Sequence, residues 1–145
     1  MKINIKKLDP RATVPTYGSE FSAGADLYAL LDAELTIAPA ETVLVHTGIA
    51  AEIPCGYGGF IFARSGLASK KGLAPANKVG VVDADYRGEI MVALHNHSSA
   101  PATICPGERI AQLVIMPFLA AEFFEAEELS ETVRGEGGFG STGRK

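Results

Sequence analysis

Sixteen glycines and eight prolines interrupt these 145 residues so often that only short elements fit between them. The intervening runs are brief and rich in β-branched or aromatic side chains: Ile3-Asn4-Ile5, Thr42 to Val45, Gly59 to Phe62, Glu89 to Leu94 and Ile110 to Met116. Turn signals fall at Pro39, Pro54/Gly56, Gly80, Pro101, Pro106/Gly107 and Pro117. Short strands at such spacing predict an all-β sandwich, jelly roll or barrel. One stretch reads otherwise. Ser65 to Gly72 offers a Ser N-cap, good helix formers, two lysines in the last turn and a Gly just beyond, which predicts one short helix.

The length suits one domain. Hydrophobic residues make up 47% and charged residues 21%, the balance of a globular chain and not of a disordered one. Pro or Gly breaks every apolar stretch before it reaches a membrane-spanning length, so no membrane partner is expected. The opening MKINIKKLDP has no apolar or amphipathic leader character, and a cytoplasmic location is expected. A net charge of −4 argues against a nucleic-acid partner. Glu122, Glu125, Glu127, Glu128, Glu131 and Glu136 read as a solvated acidic approach to the C-terminus. Cys55 and Cys105 lack metal-site spacing and are expected to be reduced thiols. Residues 1–132 are read as the packed domain. Val133 to Lys145 is read as a flexible Gly-rich arm, too poor in apolar side chains to pack by itself.

Three segments carry chemistry. Arg64-Ser65-Gly66 brings a guanidinium and a hydroxyl to a strand-to-helix junction, where free N–H groups favour phosphate; a plain cap beside a surface Arg is the simpler alternative. Val79 to Glu89, with Gly80-Val81-Val82-Asp83-Ala84-Asp85-Tyr86 within it, runs from an apolar strand through an acidic turn into a strand and suggests a hairpin. Asp83, at the edge of the strand, is a better general-base candidate than Asp85 in the turn. Arg134 to Gly143 resembles a nucleotide loop but lacks the Gly-Lys-Ser/Thr ending, and too little chain follows for a helix. It could instead fold over a base and its phosphates. His95 and His97 share a strand face without a third ligand, and His46 stands alone in a strand.

Taken in order, Ala23 to Ala29, Arg64 to Ala68, Gly80 to Glu89, Gly107 to Leu113 and Arg134 to Gly143 closely resemble the five motifs of the trimeric dUTPase family, over nearly the whole chain. Ala63 stands where the second motif commonly has Pro. The resemblance implies a jelly-roll-like β-fold with one short helix, and a homotrimer whose active sites are shared between subunits. It implies Mg²⁺-dependent hydrolysis of dUTP to dUMP and pyrophosphate. That reaction limits uracil incorporation into DNA and supplies dUMP for thymidylate synthesis.

By the same resemblance, Asp83 deprotonates the water that attacks the α-phosphorus. Arg64, Ser65 and Gly66 hold phosphates, Gln112 sits near the α-phosphate, and Arg134 neutralises the γ-phosphate. Mg²⁺ is held chiefly by phosphate oxygens, with Asp26 acting through water. Uracil enters between Asn77 and Met91, where Asn77 and the backbone of Val81, Val82 and Asp83 match its edge and reject cytosine. Tyr86 packs under the sugar and excludes a 2′-hydroxyl. Phe139 stacks over the base, with Gly140, Ser141 and Thr142 beside the phosphates. Two other readings are dCTP deaminase, which shares the fold, and a non-catalytic nucleotide-sensing protein; the presence of Asp83 and the whole arm argues against the latter.

Overall fold

Side-chain alternation decides which face of each strand turns inward. In the strand Met91–Asn96, Val92, Leu94 and Asn96 are buried while their neighbours are half-buried. The computed structural model describes residues 1–138. In chain order these form β1 (Asn4–Lys7), β2 (Thr16–Tyr17), β3 (Ala25–Tyr28), β4 (Leu35–Ile37), β5 (Thr42–His46), β6 (Ile49–Glu52) and β7 (Tyr57–Phe62). Then come α1 (Ser65–Lys71), β8 (Leu73–Pro75), β9 (Gly80–Val82), β10 (Met91–Asn96), β11 (Ala102–Ile104) and β12 (Arg109–Pro117). The all-β expectation holds, and all five apolar runs read from the sequence contribute to strands.

The strands form open sheets, not a closed barrel. The largest has the order β2-β3-β12-β7-β9, a second has β5-β10-β8, and two-stranded pairs join β1 to β6 and β11 to β4. All pairings are antiparallel. The barrel wording therefore gives way to a jelly-roll-like arrangement of open sheets. Leu27, Ile37, Ile49, Leu73, Ile90, Leu94, Ile104 and Ile110 are fully buried between them. Each such side chain stabilises the fold by about 1.5–3 kcal/mol relative to exposure. Asn96 is buried but satisfied: Nδ2 donates to the Ile37 and Ala100 carbonyls, and Oδ1 accepts from the Ser98 N–H and hydroxyl.

Two local expectations need correction. Ser65 is not the N-cap of α1: it is the first helical residue, and Arg64 occupies the cap in extended conformation without a side-chain cap bond. The hydroxyl is thereby left free of the helix. The other end is as expected, with Lys70 and Lys71 in the last turn and Gly72 in the left-handed region. The segment Val79 to Glu89 is not a paired hairpin, because β9 joins β7 while β10 joins β5 and β8. The loop between β9 and β10 crosses from one sheet to another.

Beyond β12, residues 118–138 contain no strand or helix. Leu119, Phe123, Phe124 and Leu129 project from this stretch almost fully exposed. Among the described residues no helix is long and apolar enough to cross a membrane.

Candidate active site

The wide sheet places the phosphate-binding candidates side by side. In its register Gln112 of β12 lies opposite Asp26 of β3 on one side and Phe62 of β7 on the other. The end of β7 then delivers Arg64, Ser65 and Gly66 to the same edge. The result is a cleft of about 510 Å³ lined by Gly24, Asp26, Arg64, Ser65, Arg109 and Gln112 among others.

Charge organises this cleft. Asp26 is nearly buried, and its Oδ1 lies 2.6 Å from Arg64 Nε while Oδ2 lies 3.1 Å from Arg109 Nη1. Both arginines line the cleft and use only one nitrogen each on Asp26, so the cleft presents two cations fixed by one buried anion. Gln112 Nε2 donates to the Ala63 carbonyl at 2.9 Å, tying β12 to the approach to α1. Gly24 is needed for close approach: a Cβ there would stand 2.5 Å from Gln112 Oε1. A further tie holds α1 from its other end. Lys71 Nζ donates to Glu108 Oε1 at 2.6 Å and to the Thr103 carbonyl at 2.8 Å. Burial raises the Glu108 carboxyl, but Lys71 and the Cys105 N–H outweigh it and hold the group below its ordinary value.

A second, smaller cavity of about 260 Å³ lies where the β9–β10 loop crosses between sheets. Asn77, Val81, Val82, Asp83, Tyr86 and Met91 line it, together with Leu44, Ile61, Glu89 and Ile90. β9 is the edge strand of the wide sheet, so one row of its backbone groups has no strand partner among the described residues. Those groups can meet the polar edge of a planar ligand. Asp83 is exposed just past β9, and Tyr86 N–H donates to its carbonyl at 3.1 Å. The Tyr86 hydroxyl donates to the Glu89 carbonyl at 2.9 Å.

The sequence candidates thus divide into two groups that share no lining residue. Arg134 belongs to neither: it is exposed, and its Nε donates to the Gly137 carbonyl at 2.7 Å within a local turn. Phe139, Gly140, Ser141 and Thr142 lie outside the described residues. Sequence reasoning missed Arg109 and Glu89. Arg109 stood inside a motif already singled out, immediately before the apolar run Ile110 to Met116, where a cation at a strand's end was the available signal. His46, without a role in the sequence, has its Nδ1 2.9 Å from Glu89 Oε2. His95 and His97 pack edge to face at 4.4 Å between centroids. No group of three His, Cys, Asp or Glu able to hold a metal occurs among the described residues.

The structure thus defines an antiparallel all-β protein with one cleft that presents two arginines and a separate small pocket along a free strand edge. Comparison makes the class specific. The chain belongs to the dUTPase family, whose model matches residues 10–143. The deoxyuridine 5'-triphosphate nucleotidohydrolase of Desulfitobacterium hafniense is 54% identical over 144 residues, spanning 99% of this chain and 95% of that protein. Its counterpart in Acinetobacter baumannii is 46% identical over 150 residues, with 100% of both chains covered. The solved structure of the Staphylococcus bacteriophage 80alpha dUTPase with dUPNHPP superimposes with a TM-score of 0.88 at 30% identity, covering 98% of each chain.

Proposed function

We infer that this chain hydrolyses dUTP to dUMP and pyrophosphate. Family membership supports the reaction, and the observation that carries the detailed reading is the division of the chemistry between two clefts. The anion cleft suits a triphosphate: Arg64 and Arg109 supply charge, and Ser65 and Gly66 supply a hydroxyl and N–H donors. The smaller pocket suits uracil, bounded by Asn77, Met91 and the free edge of β9. Cytosine reverses the donor–acceptor pattern at two of the three positions on that edge and would leave buried groups unpaired. Tyr86 packs against the sugar and disfavours a 2′-hydroxyl.

In this mechanism Asp83 takes a proton from water as the water oxygen bonds to the α-phosphorus. The bond from the α-phosphorus to the bridging oxygen breaks, and pyrophosphate departs with the electron pair. Gln112 steadies the α-phosphate, Arg134 neutralises the γ-phosphate, and Phe139 closes over the base with Gly140, Ser141 and Thr142 beside the phosphates. Positioning and charge neutralisation supply most of the acceleration. The side chains fit a Mg²⁺ ion held mainly by phosphate oxygens and water, since no protein cage exists among the described residues. Asp26, though it grips two arginines, keeps a second lone pair on each oxygen for such a water. Bound Mg²⁺ would spread the charge of the triphosphate.

The proposed enzyme is a homotrimer, as the resemblance to the trimeric family implies, and because the two clefts share no lining residue one copy's anion cleft would meet another's base pocket. The exposed Leu119, Phe123, Phe124 and Leu129 support assembly, since such apolar surface favours cover by another copy. Residues 133–145 would form the arm that completes the site. A cytoplasmic location accords with Cys55 and Cys105, both free thiols.

The test is incubation with dUTP, dCTP, dTTP and UTP in the presence of Mg²⁺, with product analysis. Conversion of dUTP alone to dUMP and pyrophosphate is expected. Release of orthophosphate, or comparable turnover of UTP, contradicts the reading.

A further inference from the structure

The base pocket depends on a loop that strand pairing does not hold, so something else must fix its far end. Glu89 does this from both carboxylate oxygens. Oε1 accepts the Gly48 N–H at 2.7 Å, and Oε2 lies 2.9 Å from His46 Nδ1. The next residue continues the clasp: Ile90 N–H donates to the Ile49 carbonyl at 2.8 Å, and the buried Thr47 hydroxyl donates to the Ile90 carbonyl. All of these partners come from residues 46–49, the end of β5, the two-residue link and the start of β6. The same segment is registered on the base pocket, because His46 pairs with Met91 across β5 and β10.

What Glu89 holds is the seat of Tyr86. The Tyr86 hydroxyl donates to the Glu89 carbonyl at 2.9 Å, and its ring lies over Gly88. A Cβ at Gly88 would come within 2.4 Å of the phenolic oxygen, so only glycine leaves room for the ring there. The peptide that receives the phenol is thus anchored through the Glu89 side chain to a different sheet. Burial raises the Glu89 carboxyl, yet the His46 and Gly48 hydrogen bonds outweigh it and hold the group below its ordinary value. It is an anion at neutral pH, and charge-assisted hydrogen bonds are the stronger kind.

We propose that Glu89 is a positioning residue for nucleotide selection: by bridging His46 and Gly48 it sets where Tyr86 stands against the sugar, so discrimination between dUTP and UTP depends on Glu89 and His46. This rests on the reading of the pocket as a deoxyuridine site. Glu89 acts through Tyr86, and His46 acts through Glu89.

The experiment compares kcat and KM for dUTP and UTP in the wild type, Glu89→Ala, Glu89→Gln and His46→Ala, with melting temperatures alongside. In Glu89→Ala, the kcat/KM ratio of dUTP to UTP is expected to fall roughly tenfold, chiefly through a higher KM for dUTP. Glu89→Gln keeps the shape. Its amide oxygen accepts from Gly48 and its amide nitrogen donates to the other tautomer of His46, so the ratio returns to within about threefold of the wild type. His46→Ala alters an exposed ring, leaves the core intact, and lowers the ratio by at least about threefold. An unchanged ratio in His46→Ala, or a less stable Glu89→Ala that discriminates as the wild type does, overturns the proposal and makes the clasp purely structural. A wild type that ignores dUTP contradicts the underlying reading instead, and that failure is visible without any variant.

Discussion

Asp26 and Arg64 make the tightest ion pair in the anion cleft, with Oδ1 2.6 Å from Nε, and the carboxylate is almost buried. One buried anion therefore holds in place a cation that lines the cleft. Arg109, 3.1 Å from the second oxygen, is steered by the same group. In the proposed reaction this would preorganise the cleft, with its positive charges held in place before a phosphate arrives.

Asp26→Asn is expected to destabilise the fold by about 2–4 kcal/mol, because it leaves two guanidiniums close together without their shared anion. KM for dUTP should rise in parallel. Denaturant titration checks the first effect and steady-state kinetics the second. A variant of undiminished stability whose Mg²⁺ requirement alone has changed would leave Asp26 only its role through the metal's water and contradict its role in holding the arginines.

Asp83→Asn keeps the shape of the base pocket and removes the proton acceptor. Its kcat is expected to fall by roughly 10²-fold or more while dUTP still binds. Asp85→Asn should be mild. If the ranking is reversed in single-turnover measurements, the acid has been assigned to the wrong carboxylate.

Removing residues 134–145 deletes Arg134 and Phe139 and, among the described residues, nothing from the core, so melting behaviour should persist while kcat becomes very low. Phe139→Ala should keep part of the activity, since only stacking is lost. Full-rate hydrolysis by the truncated chain would strip the arm of its role.

Acid stability has a local contributor far from chemistry. Arg11 donates to the Asp9 carboxylate through its side chain and its N–H, holding that carboxyl at about 2 against an ordinary 3.8. A depressed carboxyl stabilises the fold fully above its unfolded value and loses that effect as pH falls through the folded value. The melting-temperature gap between the wild type and Asp9→Asn should accordingly shrink from pH 4 to pH 2. A gap that stays constant over this range contradicts the assignment. The site is exposed, so the effect is small.

The parts of the fold legible in the sequence are those fixed by neighbours along the chain. Gly72 ends α1 where a left-handed residue was needed, and the β-branched runs became strands. What escaped depends on partners distant in sequence. Ser65 looked like a cap because its neighbours suit one, but the extended cap position fell on Arg64. Val79 to Glu89 looked like a hairpin because local pattern cannot say that β9 pairs with β7 and β10 with β5. Glu89 was invisible as a clasp since His46 and Gly48 lie about forty residues away, a separation no spacing rule covers. The motif residues themselves were legible, and Arg64, Ser65, Gly66, Asp26 and Gln112 do meet in one cleft. Whether the two clefts cooperate depends on assembly, which single-chain pattern does not encode.

Co-expression of Arg64→Ala with Asp83→Asn tests that cooperation most directly. Each variant alone is expected to be nearly inactive. In trimers assembled at random from equal amounts of the two chains, a site that takes Asp83 from one chain and Arg64 from another is intact in about one case in four, and in about one in three within the mixed trimers, so a comparable fraction of the wild-type rate of dUMP formation should return. Mixed trimers verified by mass that remain as inactive as their parents would show that each chain keeps its own site, and would contradict the shared architecture.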